Sequence, residues 1–381
     1  MISIHQYLFS VGNSHGLTRT LGEVDVCRNA AGRMCFTVGN SAVVFKIQHE
    51  GRICALRCYT QPGRNLATIY GAKLLPSELF IYRDNAHGEW VDVVLDQWIE
   101  GETLHERIAH ADAAEFGRLA TAFDRVAASL VADNRAHGDL KPENILVGDD
   151  GALHLIDLDA SFLPEFAGME SPELGTAAFQ HPARTAADFD ATLDDFPAAL
   201  ISTALHALAI DTSLRESYGV DDKLLIDPHQ LPHDQALSEI ITLFERHGMA
   251  VQYRIARLLY APTIHLPSLA RLLNYAIRPI PELPTEELEL FVEAGFWGYR
   301  SMENECTHLA PLYDCGFDFT EKLAAVQVGK TWHFIDTNGC VVISCGEFDS
   351  VKPFHNGRSR ARCAAGWCEI DHAGKVHLLE Y

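Results

Sequence analysis

A chain of 381 residues is longer than the ~100–200 residues of a typical single core, and its 48% hydrophobic content is ordinary, so two globular domains are expected. Its 52 acidic against 30 basic residues give a formal charge of -22 with no Lys/Arg-rich stripe, which excludes a phosphate backbone and hence nucleic acid as a partner. No apolar run reaches the ~18 residues of a membrane helix, and ten cysteines in so long a chain imply reduced thiols in a cytoplasm rather than a stapled secreted domain.

The opening Met1-Ile2-Ser3-Ile4-His5-Gln6 lacks the basic and apolar signature of a signal segment, and residues 1–34 receive no role. Residues 42–59 and 89–98 are β-branched or aromatic and predict strands, whereas 113–132 and 186–211 are Ala/Leu-rich at helical spacing and predict helices. Strands first and helices afterwards is an α+β order. The stretch from Asn65 to Lys73 reads as helix, and Glu78, opening the strand-like Leu79-Phe80-Ile81-Tyr82, is expected at the surface. Two apolar strands, Asn144-Ile145-Leu146-Val147 and Leu153-His154-Leu155-Ile156-Asp157, flank the turn Gly148-Asp149-Asp150-Gly151. Three prolines between Pro279 and Pro284 block a continuing helix and predict an extended linker at a domain boundary.

Beyond that linker the chain repeats. Trp297, Trp332 and Trp367 are spaced by 35 residues, as are Tyr313-Asp314 and Phe348-Asp349, and Phe319 and Phe354. Short alternating segments split by Asn338-Gly339 and His355-Asn356-Gly357 describe stacked hairpins, which cannot bury their faces without neighbours. The aromatics are therefore expected in a shared core, with ligand binding by an exposed ring as the alternative. The pattern over 290–381 resembles WG-type β-repeats, although the glycine after Trp remains only at Gly298. That resemblance implies an all-β module that binds a protein partner or substrate. Cys340, Cys345, Cys363 and Cys368 form two C-x4-C pairs, for which zinc is the alternative to ordinary repeat positions.

His137-Gly138-Asp139-Leu140-Lys141-Pro142-Glu143-Asn144-Ile145-Leu146 matches the protein-kinase catalytic loop H-x-D-L-K-P-x-N at every polar position. Residues 35–278 resemble a divergent, bacterial Ser/Thr-type protein-kinase domain. The resemblance implies a bilobal α+β fold, with a β-rich amino-terminal lobe and an α-rich carboxy-terminal lobe, that uses ATP and Mg2+. Phosphoryl transfer asks a protein chiefly for positioning and charge neutralisation. On the resemblance, Asp139 accepts or orients the substrate hydroxyl proton, Lys141 offsets phosphate charge, and Asn144 with Asp157 supplies hard oxygens to magnesium. A mere turn is the alternative for Asp139 and Asn144, since such residues are turn formers.

The family's remaining parts are thinner. Phe36-Thr37-Val38-Gly39-Asn40-Ser41-Ala42-Val43-Val44-Phe45-Lys46 resembles the phosphate-covering hairpin, with Gly39 its one glycine. Val44 and Ala55 would pack on adenine, backbone groups of Gln97, Trp98 and Ile99 would hydrogen-bond it, and Leu146 would floor the pocket. Arg57 stands where the family has its nucleotide lysine, a planar fork in place of a point charge, with no acidic partner evident. The D-F-G triplet is Asp157-Leu158-Asp159, in which Asp159 is a solvated loop carboxylate or an aid to metal binding. Gly138 replaces the arginine that would grip an activating phosphate. Gly175-Thr176-Ala177-Ala178-Phe179-Gln180-His181-Pro182 resembles the end of an activation segment, with Ala183 in place of Glu. Asp195 resembles the buried helix aspartate that braces the catalytic loop, or else is an ordinary helix-start carboxylate. The preferred reading is a Ser/Thr protein kinase with a partner-binding repeat module. The alternatives are a pseudokinase acting as a nucleotide-binding or scaffolding module, and a small-molecule kinase.

Overall fold

Strand-forming residues in the first hundred positions build a six-stranded antiparallel sheet. In this computed structural model, which describes residues 2–39, 41–84 and 87–379, the strands are β1 (Asp25–Val26), β2 (Phe36–Val38), β3 (Ala42–His49), β4 (Arg52–Tyr59), β5 (Leu74–Tyr82) and β6 (Gly88–Gln97). Their order is β1-β3-β4-β6-β5, with β2 also on β3. Val44 pairs with Arg57 and Lys46 with Ala55. Side chains alternate, so Val43, Phe45, Ile47, Leu56 and Cys58 face one way while Val44, Ala55, Arg57 and Tyr59 face the other.

Residues 2–34 cover the first face. Helix α1 (Ile4–Gly12) begins at a capping box, Ser3 and Gln6 each accepting the other's backbone N–H. Its Tyr7 and Val11 join Leu21, Val24 and Val26 in one core with the sheet. Glu78 is not at the surface as its position suggested: it is 1% exposed. Its carboxylate accepts the N–H groups of Arg19 (3.0 Å), Thr20 (2.8 Å) and Leu21 (2.8 Å) and the Thr20 hydroxyl (2.7 Å). A carboxylate with four donors is satisfied without water, which is what lets it be buried. On the opposite face Ala42, Tyr59 and Val94 pack with Leu66 and Tyr70 of α2 (Leu66–Tyr70).

The chain divides into two units: 1–102 with 148–150 and 154–161, and 103–147, 151–153 with 162–381. After β7 (Gly101–Thr103) come α3 (Leu104–Ile108) and α4 (Ala113–Ala132), then the short β8 (Ile145–Gly148) and β9 (Leu153–Leu155). Capped by Asp112, α4 buries Phe116, Leu119, Ala120, Phe123 and Ala127 along one stripe. It packs on α5 (Asp195–Ile210), which is buried on nearly every side. The helix expected from residue 186 starts only at Asp195. Asp188 takes the N–H and hydroxyl of Thr185, and Asp190 those of Thr192, so local side-chain bonds hold turns where the composition reads as helix. Helices α6 (Leu214–Tyr218), α7 (Gln235–Arg246), α8 (Ala250–Leu258) and α9 (Leu269–Ile277) follow.

Past the extended residues 279–284 lie three small antiparallel sheets. They are β10 (Leu288–Glu293), β11 (Phe296–Ser301) and β12 (Thr307–Tyr313); β13 (Cys315–Gly316), β14 (Ala324–Val328), β15 (Thr331–Ile335) and β16 (Val341–Glu347); and β17 (Ser350–Val351), β18 (Arg358–Cys363), β19 (Gly366–Asp371) and β20 (Val376–Leu378). The 35-residue period is thus one sheet per repeat, with Trp297, Trp332 and Trp367 each on a strand paired on both sides (β11, β15, β19). The second and third sheets share a core containing Trp332, Phe334, Phe354, Ala361 and Ile370. Core packing holds for Trp332, which is 4% exposed and stacks on Phe317, but not for Trp367, which is 40% exposed. Lys352 occupies the place ahead of Trp367 that Phe317 has ahead of Trp332. Gly298 is retained for a steric reason: a Cβ there would lie 2.7 Å from Leu309 O and Pro311 N.

The array is fastened to the helices before it. Arg254 of α8 donates Nε and Nη2 to Leu312 O (3.0 and 2.8 Å), pairs with Asp314 at 2.9 Å and lies 4.0 Å over the Phe296 ring. His333 Nε2 donates to Glu245 O at 2.9 Å, and Arg278 Nη2 donates to the carbonyls of Thr307 and His308. The whole is mixed α/β with a carboxy-terminal all-β region. Among the described residues no helix is long and apolar enough to cross a membrane.

Candidate functional site

The segment 137–144 gathers the three residues singled out as catalytic. Asp139 Oδ1 accepts the Thr176 N–H at 2.6 Å, and its Oδ2 takes Lys141 Nζ at 3.0 Å and Asn144 Nδ2 at 3.1 Å. Lys141 Nζ also donates to Thr176 Oγ1 at 2.7 Å, and Asn144 Nδ2 to Asp139 O at 2.8 Å. Burial works to raise the Asp139 carboxyl, but Lys141 and the Thr176 amide outweigh it and hold the group below the ordinary carboxylate range. An ionised carboxylate beside an ammonium suits it to orient a hydroxyl while the cation neutralises an incoming anion. Thr176 was not among the predicted site residues; its Gly-Thr pair in the activation-segment-like stretch was the signal.

Two features hold this loop in shape. Buried Asp194 accepts the N–H of His137 and, at 3.0 Å, that of Gly138. The bracing aspartate is therefore Asp194, one residue before the one the motif indicated. Asp195 instead accepts the Leu266 N–H at 2.8 Å and meets His265 Nδ1 at 3.2 Å. The second feature is Gly175, at φ +68°, where a Cβ would stand 2.9 Å from Gly138 O. Only glycine lets the segment carrying Thr176 approach so closely.

Within the first unit, Arg57 does have acidic partners. Its Nη2 donates to Asp157 Oδ1 and, at 2.7 Å, to Asp159 Oδ2. Asp159 Oδ1 accepts the hydroxyls of Tyr59 (3.0 Å) and Tyr70 (2.8 Å). Burial alone would depress Arg57, yet Asp157, Tyr70 and Asp159 overcome it and hold the guanidinium firmly charged. Asp159 is thus an anchoring carboxylate, not a solvated one. Asp157 sits at φ 62° and keeps one oxygen without a partner among the described residues.

The other predicted residues fall as follows. Val44 and Ala55 share the Arg57 face of the sheet. Gly39 donates its N–H to Ala42 O and has room for a side chain, so glycine is not sterically required; Asn40 lies outside the described residues. The Gln97 N–H is engaged by Asp96 Oδ1 at 2.8 Å and that of Trp98 by Ile53 O at 3.3 Å, so among the described residues the Ile99 N–H alone of the three is without an acceptor. Leu146 is half-buried on β8 in the second unit. Among the described residues, Asn144 in the second unit spends its amide nitrogen on Asp139 and retains its oxygen, and Asp157 in the first unit retains one of its own; each is a hard oxygen of the kind magnesium takes.

Comparison with known proteins gives two partial matches. A family model described as WG containing repeat matches residues 334–367. Over 160 residues, 39% of the chain, the sequence is 32% identical to CBL-interacting protein kinase 17 of Oryza sativa subsp. japonica, and the match spans 33% of that relative. The chain is thus similar to a protein kinase over about a third of that protein's length.

Proposed function

We propose that the chain is an ATP- and magnesium-dependent phosphotransferase of the Ser/Thr protein-kinase type, with residues 35–278 as a bilobal catalytic domain and 290–381 as a module for a protein partner or substrate. The observation that carries this reading is the Asp139–Lys141–Asn144–Thr176 assembly braced by Asp194. The similarity to a protein kinase supports it, as does a β-rich unit preceding helices. Asp139 orients the acceptor hydroxyl and takes its proton, Lys141 neutralises charge on the transferred group, and Asn144 and Asp157 are the metal-holding oxygens. Bound nucleotide would supply the phosphoryl group, with Arg57 as the cation for its phosphates. Ten free thiols favour a reducing, cytoplasmic setting.

A second reading, a nucleotide-binding or scaffolding module without transfer, is favoured by one observation: Arg57 is already held by Asp157 and Asp159. Calorimetric titration with ATP, with and without magnesium, on the wild type and Asp157→Asn, paired with transfer of labelled γ-phosphate by wild type and Asp139→Asn, separates the two. A transferring enzyme binds ATP with magnesium dependence that Asp157→Asn weakens, and loses about 10²-fold or more of its transfer rate on Asp139→Asn. Binding without transfer leaves the scaffold, and no binding with either form sinks both.

A further inference from the structure

We propose that a cavity where α7 and α8 meet the repeat array binds a small phosphate monoester carrying free hydroxyls, of the sugar-phosphate class. This site does not rest on the phosphotransfer reading. The cavity holds about 680 Å3, in the range of ordinary small-molecule sites.

Its charge is the reverse of the molecule's. The chain has 52 acidic residues against 30 basic, yet among the described residues no Asp or Glu lines the cavity, whereas Arg246 and Arg278 do. The Arg246 side chain has no protein partner among the described residues, and Arg278 spends only Nη2 on carbonyls. The nine-residue α8 opens into the same space with no side-chain cap and no acidic residue in its first turn. The N–H groups of Val251 and Gln252, both lining the cavity, are without partners among the described residues. Uncapped amides at the positive end of a helix, joined by two guanidinium groups, select an anion.

His308 is the independent mark of a ligand. It is 2% exposed and donates Nε2–H to Thr337 O at 2.6 Å, beside Asn338 and Gly339 of the cavity wall. Its Nδ1 is buried with no partner. With the proton on Nε2, Nδ1 is an acceptor that lacks a donor, and a hydroxyl supplies one. The lining therefore asks for two groups on one molecule. A phosphate monoester presents three oxygens to the amides and arginines, and its polyol end presents the hydroxyl to His308. A carboxylate offers only two oxygens.

The test is calorimetric titration of the full chain with glucose 6-phosphate, glucose and inorganic phosphate. We expect glucose 6-phosphate to bind, inorganic phosphate to bind at least tenfold more weakly, and glucose to give no heat. Arg246→Gln, at an exposed position, should weaken the ester at least fivefold while leaving ATP binding unchanged. His308→Phe should erase the preference of the ester over inorganic phosphate. Equal binding by wild type and Arg246→Gln, displacement of the ester by ATP, or silence with a panel of sugar monophosphates would overturn the assignment.

Discussion

Arg57 and Asp159 are joined at 2.7 Å, and the other oxygen of that carboxylate takes the Tyr59 and Tyr70 hydroxyls. A side chain two places after Asp157 thus anchors the guanidinium on the face of the sheet that Val44 and Ala55 share.

Asp159→Ala should have two separable effects. It removes the acceptor of two largely buried tyrosine hydroxyls and one partner of a guanidinium, so the protein should lose about 2–4 kcal/mol in urea denaturation. It also frees Arg57 from half of its anchorage, so ATP affinity should rise severalfold in the same calorimetric titration. Lower stability with unaltered ATP affinity would make Arg57 a structural residue only.

A pH dependence follows from Asp195. Burial pushes its carboxyl up to about 6, against the Leu266 N–H and His265, which pull it down. Unfolded aspartate titrates near ~3.9. Between about pH 4 and 6 the folded state binds the extra proton, so stability falls as pH rises through this window; the proton's contribution is complete below it and gone above it. Asp195→Asn should flatten that slope and stabilise the protein above pH 6, on the order of 1–3 kcal/mol, in urea midpoints taken from pH 4 to 7. Asp194, also pushed up by burial, keeps part of the slope in the variant. An unchanged slope would mean that Asp195 ionises normally.

Glu78→Ala would leave the N–H groups of Thr20 and buried Leu21 without their acceptor, whereas that of Arg19 keeps the backbone carbonyl of residue 78 at 3.0 Å. The expected loss is about 2–3 kcal/mol, with amide exchange at Thr20 and Leu21 accelerated ahead of global unfolding. Glu78→Gln, which retains one oxygen, should recover part of it. Slow exchange at 19–21 in Glu78→Ala would assign the segment's order to the α1 core instead.

Sequence pattern was informative where one physical signal dominated. Strands over 42–59, the helix over 113–132 and the 35-residue repeat are carried by side-chain type or periodicity alone. It was blind where neighbours decide. Asp194 and Asp195 are adjacent carboxylates at a helix start, and only the three-dimensional position of His137 and Gly138 selects the first. Arg57 found its partners 100 and 102 residues away, beyond any local pattern. Residues 1–34 carried a legible sign in Ser3 and Gln6, but nothing in the sequence joined Tyr7 and Val11 to Ile47 and Leu79.

The grip of Arg254 on Leu312 and Asp314, and of His333 on Glu245, changes what the proline-rich segment at 279–284 means. That segment is extended, yet the sheets after it are bolted to α7 and α8 on the other side. Such an array is a ruler and not a leash: its sheets stand at a set distance and angle from the helices. Lengthening 279–284 by several glycines should then leave the reach of the array unaltered, whereas cutting the Arg254 contacts should turn a fixed arm into a swinging one.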